Sequence, residues 1–492
     1  MKMVQTLDSP RKRRLLQAGF LSLALTLGAC SLVPDYKEPA VPAPADWRNQ
    51  TAAVTPAAIS SDAAASVMSS AATDQLSDHW WTAFGNDELD RMVTTARNDN
   101  HDLLAAMRRI DQARAQAKGA AAPLFPTVEA DAGSSRGGNG GTSDVSVSYN
   151  AGLSVGYELD LWGKNRAALE SADASFQGSV YDAAATDLVL QDDVVTTYLT
   201  LLALGDQLKV AQSNLQDSQD TLALIEIRFK EGAASALDLA QQRQQVASTA
   251  ATIPALQNQY DQNQAALAVL LGLPPAALKI QNASLDTVTL PGIAAGLPST
   301  LLERRPDLRK ADADLRAANA EIGVTRADFL PTIQLTGSGG LASGALTAFF
   351  EPESAIYNLA ASLLAPLFDG GARQANYDQS VARYKELAET YQQTALTAFR
   401  DVEVALSAQS TSAAQEAALQ ESANQAQAAL TLANLLYREG ATDLLTVLDA
   451  QRAQLQAQNS LVQARLTRLQ AVADLAKAMG GGWQDQQVIA GL

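Results

Sequence analysis

Residues 145 to 160 alternate strictly, with Val145, Val147, Tyr149, Ala151, Leu153, Val155, Tyr157 and Leu159 set against Ser, Gly, Asn, Glu and Asp. One face is greasy and the other polar. A strand of a soluble sandwich can show this alternation. The run is long, however: an ordinary strand has about five or six residues, and one that crosses a membrane needs about 10. A membrane strand is therefore predicted, paired with residues 127 to 136 through the glycine-rich stretch Gly137 to Gly141. The same pattern returns at 332 to 341 and 356 to 368. Four strands cannot close a barrel, and an open edge cannot face lipid, so several copies of the chain are expected to share one barrel.

After Gly163 the period changes to that of a helix and holds to about Lys230, which at 1.5 Å per residue makes a helix of roughly 100 Å. Val194, Leu201, Leu208, Leu215, Leu222 and Phe229 recur every seven residues, with Leu204, Ala211 and Ile225 three positions on, a coiled-coil seam. The run breaks at Glu231-Gly232-Ala233-Ala234. A return helix with Leu239, Val246, Ile253, Tyr260 and Leu267 in heptad register then ends at Gly272. A second hairpin runs from Gly370 to Glu439, turns at Gly440-Ala441-Thr442, and comes back through Leu448, Leu455, Val462, Leu469 and Ala476. Pro254 lies inside the first return helix and is expected to kink it.

The two halves are copies of one pattern. Asn100-His101-Asp102-Leu103 matches Arg305-Pro306-Asp307-Leu308, and Phe125-Pro126-Thr127-Val128 matches Leu330-Pro331-Thr332-Ile333, each at an offset of 205. Gly163, Gly232 and Gly272 match Gly370, Gly440 and Gly480 at offsets of 207, 208 and 208. The expected organisation is a leader (1–29), an extended segment (30–78), a first repeat (79–280), a second repeat (281–482) and a short tail (483–492). Trp80, Trp81 and Phe84 mark where folding begins.

Arg11-Lys12-Arg13-Arg14 precedes an apolar stretch from Leu15 to Ala29, too short for the roughly 20 residues of a membrane span and right for an export signal. No other segment reads as a spanning helix. The stretch ends in Leu27-Gly28-Ala29-Cys30, which resembles the bacterial lipobox. That resemblance implies cleavage before Cys30 and a diacylglycerol and acyl chain on its thiol, and Ser31 at the next position implies sorting to the outer membrane. A secreted protein with a free cysteine is the plainer alternative. The whole chain carries a net charge of -17, and the part after the leader has 31 basic against 52 acidic residues, which disfavours nucleic acid as a partner. One cysteine and two distant histidines, His79 and His101, argue against a metal site or a Cys-His nucleophile pair.

Pro34-Asp35-Tyr36 with Pro39, Trp80-Trp81, Leu297-Pro298-Ser299 with Leu302, Arg304-Arg305-Pro306-Asp307, Ala317-Ala318-Asn319-Ala320 with Ile322-Gly323, and Tyr437 with Gly440 and Leu448-Asp449-Ala450-Gln451 together resemble the outer-membrane factor family, the TolC and OprM type of exit duct, in its lipoprotein branch. The resemblance spans Cys30 to about Gly482. It implies a mixed α and β membrane protein. Three copies would form a homotrimeric outer-membrane β-barrel with four strands per protomer, continuous with a long α-helical coiled-coil barrel in the periplasm. It implies a passive efflux duct anchored in outer-membrane lipid and coupled to an inner-membrane pump through a periplasmic adaptor.

The resemblance assigns residues as well. Asp449, Arg452 and Tyr437 match positions of the closed aperture. The family often has an aspartate six residues past the second tip glycine, where this chain has Thr446, whereas the first hairpin carries Asp238 at that spacing. The tips Gly232-Ala233-Ala234 and Gly440-Ala441-Thr442 are the expected adaptor contacts, although helices also reverse at glycine for purely structural reasons. An adaptor-like coiled-coil lipoprotein and a type I secretion duct are the alternatives. An enzyme is disfavoured because the carboxylates are scattered along helix faces, and neither catalytic residues nor a cofactor are expected beyond the lipid on Cys30. Arg304-Arg305 has the chemistry to fork onto a phosphate, but Pro306 and Asp307 behind it read more simply as a helix start.

Overall fold

The computed structural model describes residues 31–48, 78–138, 145–280, 284–293 and 298–483. The leader, Cys30, most of the lead-in and nearly all of the tail lie outside the described residues. In chain order the helices are α1 (Asp87–Asp99), α2 (His101–Ala121), α3 (Lys164–Lys230), α4 (Ala236–Leu270), α5 (Pro298–Arg304), α6 (Pro306–Ala327), α7 (Ala372–Arg438) and α8 (Leu444–Ala478). The strands are β1 (Thr127–Gly138), β2 (Val145–Glu158), β3 (Thr332–Ser343) and β4 (Ala355–Leu364). The duplication is visible in these lengths: α3 and α7 have 67 residues each, and α4 and α8 have 35 each. All six glycines that mark it, from Gly163 to Gly480, have positive φ.

Contacts divide the chain into two compact units, each drawing on both repeats: one of residues 1–40, 109–179 and 310–392, the other of 41–108, 180–309 and 393–492. The first holds the antiparallel sheet, in the order β1-β2-β3-β4. Its register aligns the alternation across all strands. Val128 lies opposite Val155, Tyr157 opposite Leu335 and Gly337 opposite Leu359, while on the other side Glu129 lies opposite Ser154, Asn150 opposite Gly133 and Ser362 opposite Gln334. Directly opposed residues share a face. One face is therefore mainly apolar and the other mainly polar, with Arg136 on the first and Ile356 and Leu364 on the second as exceptions, and the apolar side chains Val128, Leu153, Tyr357, Leu359 and Leu363 are exposed. The outer edges of β1 and β4 have no strand partner among the described residues.

The same unit binds the segment that follows Cys30. Asn319 donates to the Pro34 carbonyl at 2.8 Å and Arg326 to the Leu32 carbonyl at 3.2 Å. The Tyr36 hydroxyl donates to Asp312, and Arg316 stands 4.6 Å from the Tyr36 ring centre. Burial, followed by the Asp312 bond, pushes the Tyr36 hydroxyl far above its ordinary pKa. Val33 rests on Gly323, where an added Cβ would meet the Val33 backbone at 3.0 Å. Two motifs nearly 300 residues apart in sequence thus meet face to face.

The second unit is built on Trp80, Trp81 and Phe84, which with Leu89, Val93 and Ala96 pack against Val194, Tyr198, Leu201 and Leu202 of α3 and Val472 and Ala476 of α8. Trp80 donates to Gln191 at 3.0 Å, satisfying its buried indole N–H. Among the described residues α3 is the one helix with an 18-residue stretch apolar enough to cross a membrane, contrary to the expectation of none. Of that stretch 56% is buried within the chain, as in the core helix of a packed protein.

In the hairpins, α4 runs as one helix across Pro254, whose position is exposed. Past Leu208 the buried line of α3 keeps only part of the predicted seam. It follows Ala211 and Ile225 of that seam together with Asn214 and Ser218, whereas Leu215 and Leu222 are half-buried and Phe229 is exposed. The facing positions of α4 are Gln242, Gln245 and Thr249, and those of α8 include Gln451 and Gln454, all buried. Amides replace the aliphatic seam because they find partners: Gln242 donates to the Ser218 carbonyl at 2.7 Å, Gln451 to Thr221 at 3.2 Å and Asn214 to Gln458 at 3.0 Å.

Candidate functional site

Cys30 lies outside the described residues, and the expected aperture and adaptor-contact residues belong to the second unit and gather at the two hairpin turns. Each long helix ends in the same glycine-terminated motif. Gly232 N–H donates to Phe229 and Ala233 N–H to Arg228, and Gly440 N–H donates to Tyr437 and Ala441 N–H to Leu436, at 2.7 to 3.1 Å. Positive φ (76° at Gly232, 73° at Gly440) is what requires glycine, since an added Cβ at either would meet nothing within 4 Å. Gly232, Ala233, Gly440 and Ala441 are exposed, and Ala234 and Thr442 are half-buried.

Each return helix then starts with a side-chain cap. Ser235 accepts from the Asp238 N–H at 3.1 Å while Asp238 accepts from the Ser235 N–H at 2.8 Å, a reciprocal capping box. In the second hairpin Asp443 accepts from both the N–H and the hydroxyl of Thr446, at 3.0 and 2.7 Å, and these bonds hold the Asp443 carboxyl below its usual range. Asp238 and Thr446 therefore occupy equivalent positions and both serve caps in the single chain. That accounts locally for the change from acid to threonine, because the acid has moved to Asp443.

Asp449 and Arg452 lie on one face of α8, with Nη1 and Oδ1 3.5 Å apart and both side chains largely exposed. Arg452 also reaches out of its hairpin, donating from Nε to Gln245 of α4 at 3.1 Å. Tyr437 is buried in a cluster with Ile225, Leu430, Ala433, Leu444, Val447 and Leu448. The guanidinium of Arg228 stands 4.9 Å from the Tyr437 ring centre. Arg228 and Gln245 are site residues that the sequence reading did not single out. A cation in the last turn of a helix was the available signal for Arg228, whereas Gln245 carried none among so many glutamines.

Arg305, considered above as a phosphate fork, is committed elsewhere. It pairs with both oxygens of Asp307, at 3.0 and 2.7 Å, approaches Asp401 at 3.5 Å and donates to the Ala478 carbonyl at 3.2 Å. It lines a cavity of about 470 Å³ together with Arg400, Asp401, Asp474 and Lys477. Lys477 donates to Asp192 at 2.8 Å, and burial pushes the Asp192 carboxyl above its usual range in spite of that bond. Arg305, Arg400 and Lys477 thus stand among the carboxylates of Asp192, Asp307, Asp401 and Asp474, in a cluster that ties α8 to α3 and α7.

The pattern of the family described as outer membrane efflux protein matches residues 92–273 and 297–481. The chain is 41% identical over 482 residues to the pyoverdine export outer membrane protein OpmQ of Pseudomonas aeruginosa, covering 96% of this chain and 98% of that one. It is 35% identical to the outer membrane protein OprJ of the same species, covering 94% and 95%. The solved structure of the outer-membrane channel OprN superposes with a TM-score of 0.82 at 29% identity, covering 92% of this chain and 100% of that one.

Proposed function

The chain belongs to the outer membrane efflux protein family, and from that premise we propose that it is a passive exit duct, assembled from three copies and coupled to an inner-membrane pump through a periplasmic adaptor. The family is one of efflux channels of the outer membrane rather than of enzymes, and no step of catalysis is assigned to this chain. One observation supports the assembly above all others. Among the described residues the sheet has an uncovered, mainly apolar face, a mainly polar opposite face and two unpaired edges, which in lipid must be satisfied by other strands. Four strands per copy make a barrel of twelve when β4 of one copy pairs with β1 of the next, with the polar face lining the lumen.

Within that assembly the hairpin tips form the periplasmic aperture. Asp449 and Arg452 supply exposed charge, the buried Tyr437 packs the two hairpins together behind them, and Gly232, Ala233, Ala234, Gly440, Ala441 and Thr442 supply a small-residue surface for the adaptor. Asp238 and Thr446 shape the turns through their caps. The lipid on Cys30 anchors the assembly, and the segment from Leu32 to Glu38 fixes where that anchor sits. The name of the 41% identical relative supports small-molecule export as the class of cargo. The family match over residues 92–273 and 297–481, together with two helical hairpins and four strands, weighs against the adaptor-like alternative.

The mass of the detergent-purified protein tests the assembly. Three protomers are expected, and a stable monomer that still inserts into membranes overturns it. Loss of small-molecule efflux from a strain lacking the gene, with secreted proteins unchanged, is expected for the cargo class, and the reverse pattern contradicts it.

A further inference from the structure

Arg228 lies one turn before the glycine that ends α3, and its guanidinium leaves its own hairpin. Nη1 donates to the carbonyl of Tyr437 at 3.1 Å and Nη2 to the carbonyl of Arg438 at 2.7 Å. Both carbonyls belong to the last turn of α7, where acceptors have no helical donor and the helix dipole presents its negative end. A planar, permanently charged fork suits two adjacent carbonyls better than any other side chain. The Tyr437 carbonyl also receives the Gly440 N–H, so Arg228 fastens to the very peptide that closes the second turn. At the repeat offset of 208 the counterpart of Arg228 is Leu436, which cannot donate. The tie therefore runs one way, from the first hairpin to the second.

In the turns next to the tip, as far as Asn214 and Gln458, the polar contacts between the hairpins are of another kind. Gln451 to Thr221, Arg452 to Gln245 and Asn214 to Gln458 are single bonds to amide or hydroxyl oxygens, and the side-chain oxygens of Gln242, Gln451 and Gln454 accept no hydrogen bond among the described residues. Such groups can exchange partners as helices slide, whereas the Arg228 fork needs two carbonyls in place at once. We propose that Arg228 is a catch holding the second hairpin against the first, and that its release from the Tyr437 and Arg438 carbonyls is a step in opening the tip. Arg228 is thus a positioning residue, and its role rests on the tip being the aperture.

The test pairs Arg228→Met, which keeps the apolar stem and loses every donor, with Arg228→Lys, which keeps the charge and offers a point donor in place of the fork. Spin labels at the exposed positions Lys230 and Glu439, on chains diluted among unlabelled ones, report the distance between hairpins directly. Single-channel conductance in planar bilayers reports opening. Arg228→Met should add a population at longer distance and shift opening roughly tenfold, the effect of losing about one charge-assisted hydrogen bond net of solvent, with Arg228→Lys between it and wild type. An unchanged distance distribution overturns the catch whatever the conductance does. Longer distances with wild-type conductance, in a background where Asp449→Ala does raise conductance, overturn its part in opening but leave the aperture standing. If neither Arg228→Met nor Asp449→Ala alters conductance, the aperture itself fails, and the opening step fails with it. Should Arg228→Met not accumulate in the membrane, Arg228→Lys carries the same outcomes.

Discussion

Replacing Gly323 by alanine measures how tightly the segment after the lipid attachment site is built into the first unit. The new methyl would lie 2.5 Å from Val33 Cγ2, 3.0 Å from its Cα and 3.1 Å from its nitrogen. The side-chain atom can swing aside. The backbone can retreat only by lifting the segment off α6, which strains the Arg326 bond to Leu32 and the Asn319 bond to Pro34 on either side. Overpacking of this kind costs about 1–3 kcal/mol, and the helix propensity gained by replacing glycine returns about 0.5–1 kcal/mol. A net cost of roughly 1–2 kcal/mol, at 1.4 kcal/mol per factor of ten, raises the detached population about 5- to 30-fold. Lys37 is exposed within the segment, so trypsin cleavage after it, followed on the membrane-embedded protein, tracks that population while reclosing outpaces cleavage. Gly119→Ala in α2 is the control, because its Cβ would meet nothing within 4 Å. It makes the same change in propensity without a clash and should leave cleavage after Lys37 as in wild type. Cleavage of Gly323→Ala at the wild-type rate would refute the close approach.

Lys477→Met should destabilise the second unit by roughly 2 kcal/mol, less than the 3–5 of a fully buried pair because Lys477 is 39% exposed. Asp192 must then hold a proton to stay buried, so its folded pKa rises further above the unfolded value, and stability is lost as pH rises between the two. The melting temperature should fall more at pH 8 than at pH 5, and Asp192→Asn in the same chain should restore most of it; an equal fall at both pH values contradicts this linkage. Labelled palmitate should enter the wild-type protein and not Cys30→Ala, with equal incorporation in both ending the idea of a lipid at that residue. A bulky residue at Ala233 or Ala441 should abolish efflux while leaving the amount of protein in the outer membrane unchanged, and normal efflux in both variants would leave the tips as plain helix reversals.

Period alone located most of the fold. Strict alternation from Val145 and the two 67-residue helices follow from side-chain geometry that repeats every two or every 3.6 residues, and the described strands and helices begin and end within a few residues of where that pattern changes. The buried line beyond Leu208 was only partly legible, at Ala211 and Ile225. A heptad of leucines and a row of glutamines compete for the inside there, and the winner depends on whether each amide finds a partner on another helix, as Gln242 does at Ser218. Meaning at the site was legible where backbone conformation dictates residue type, at Gly232 and Gly440, and at the capping residues that follow them. Arg228 was not, because its partners are carbonyls 209 and 210 residues away, and backbone carbonyls leave no mark in sequence. The meeting of Pro34-Asp35-Tyr36 with Asn319 and Gly323 was equally hidden, although both motifs stood out singly.

The central claim is that this chain forms an outer-membrane conduit whose periplasmic end is narrowed by its hairpin tips. Single-channel recording from the purified protein in planar bilayers, for wild type and for Asp449→Ala, Arg452→Ala, Tyr437→Ala and their combination, tests it most directly. A small, steady conductance is expected from wild type, rising in each single variant and most in the combination. Absence of any channel from wild type and the combined variant alike would contradict the conduit, and identical conductance in all five proteins would contradict the placing of its narrow end.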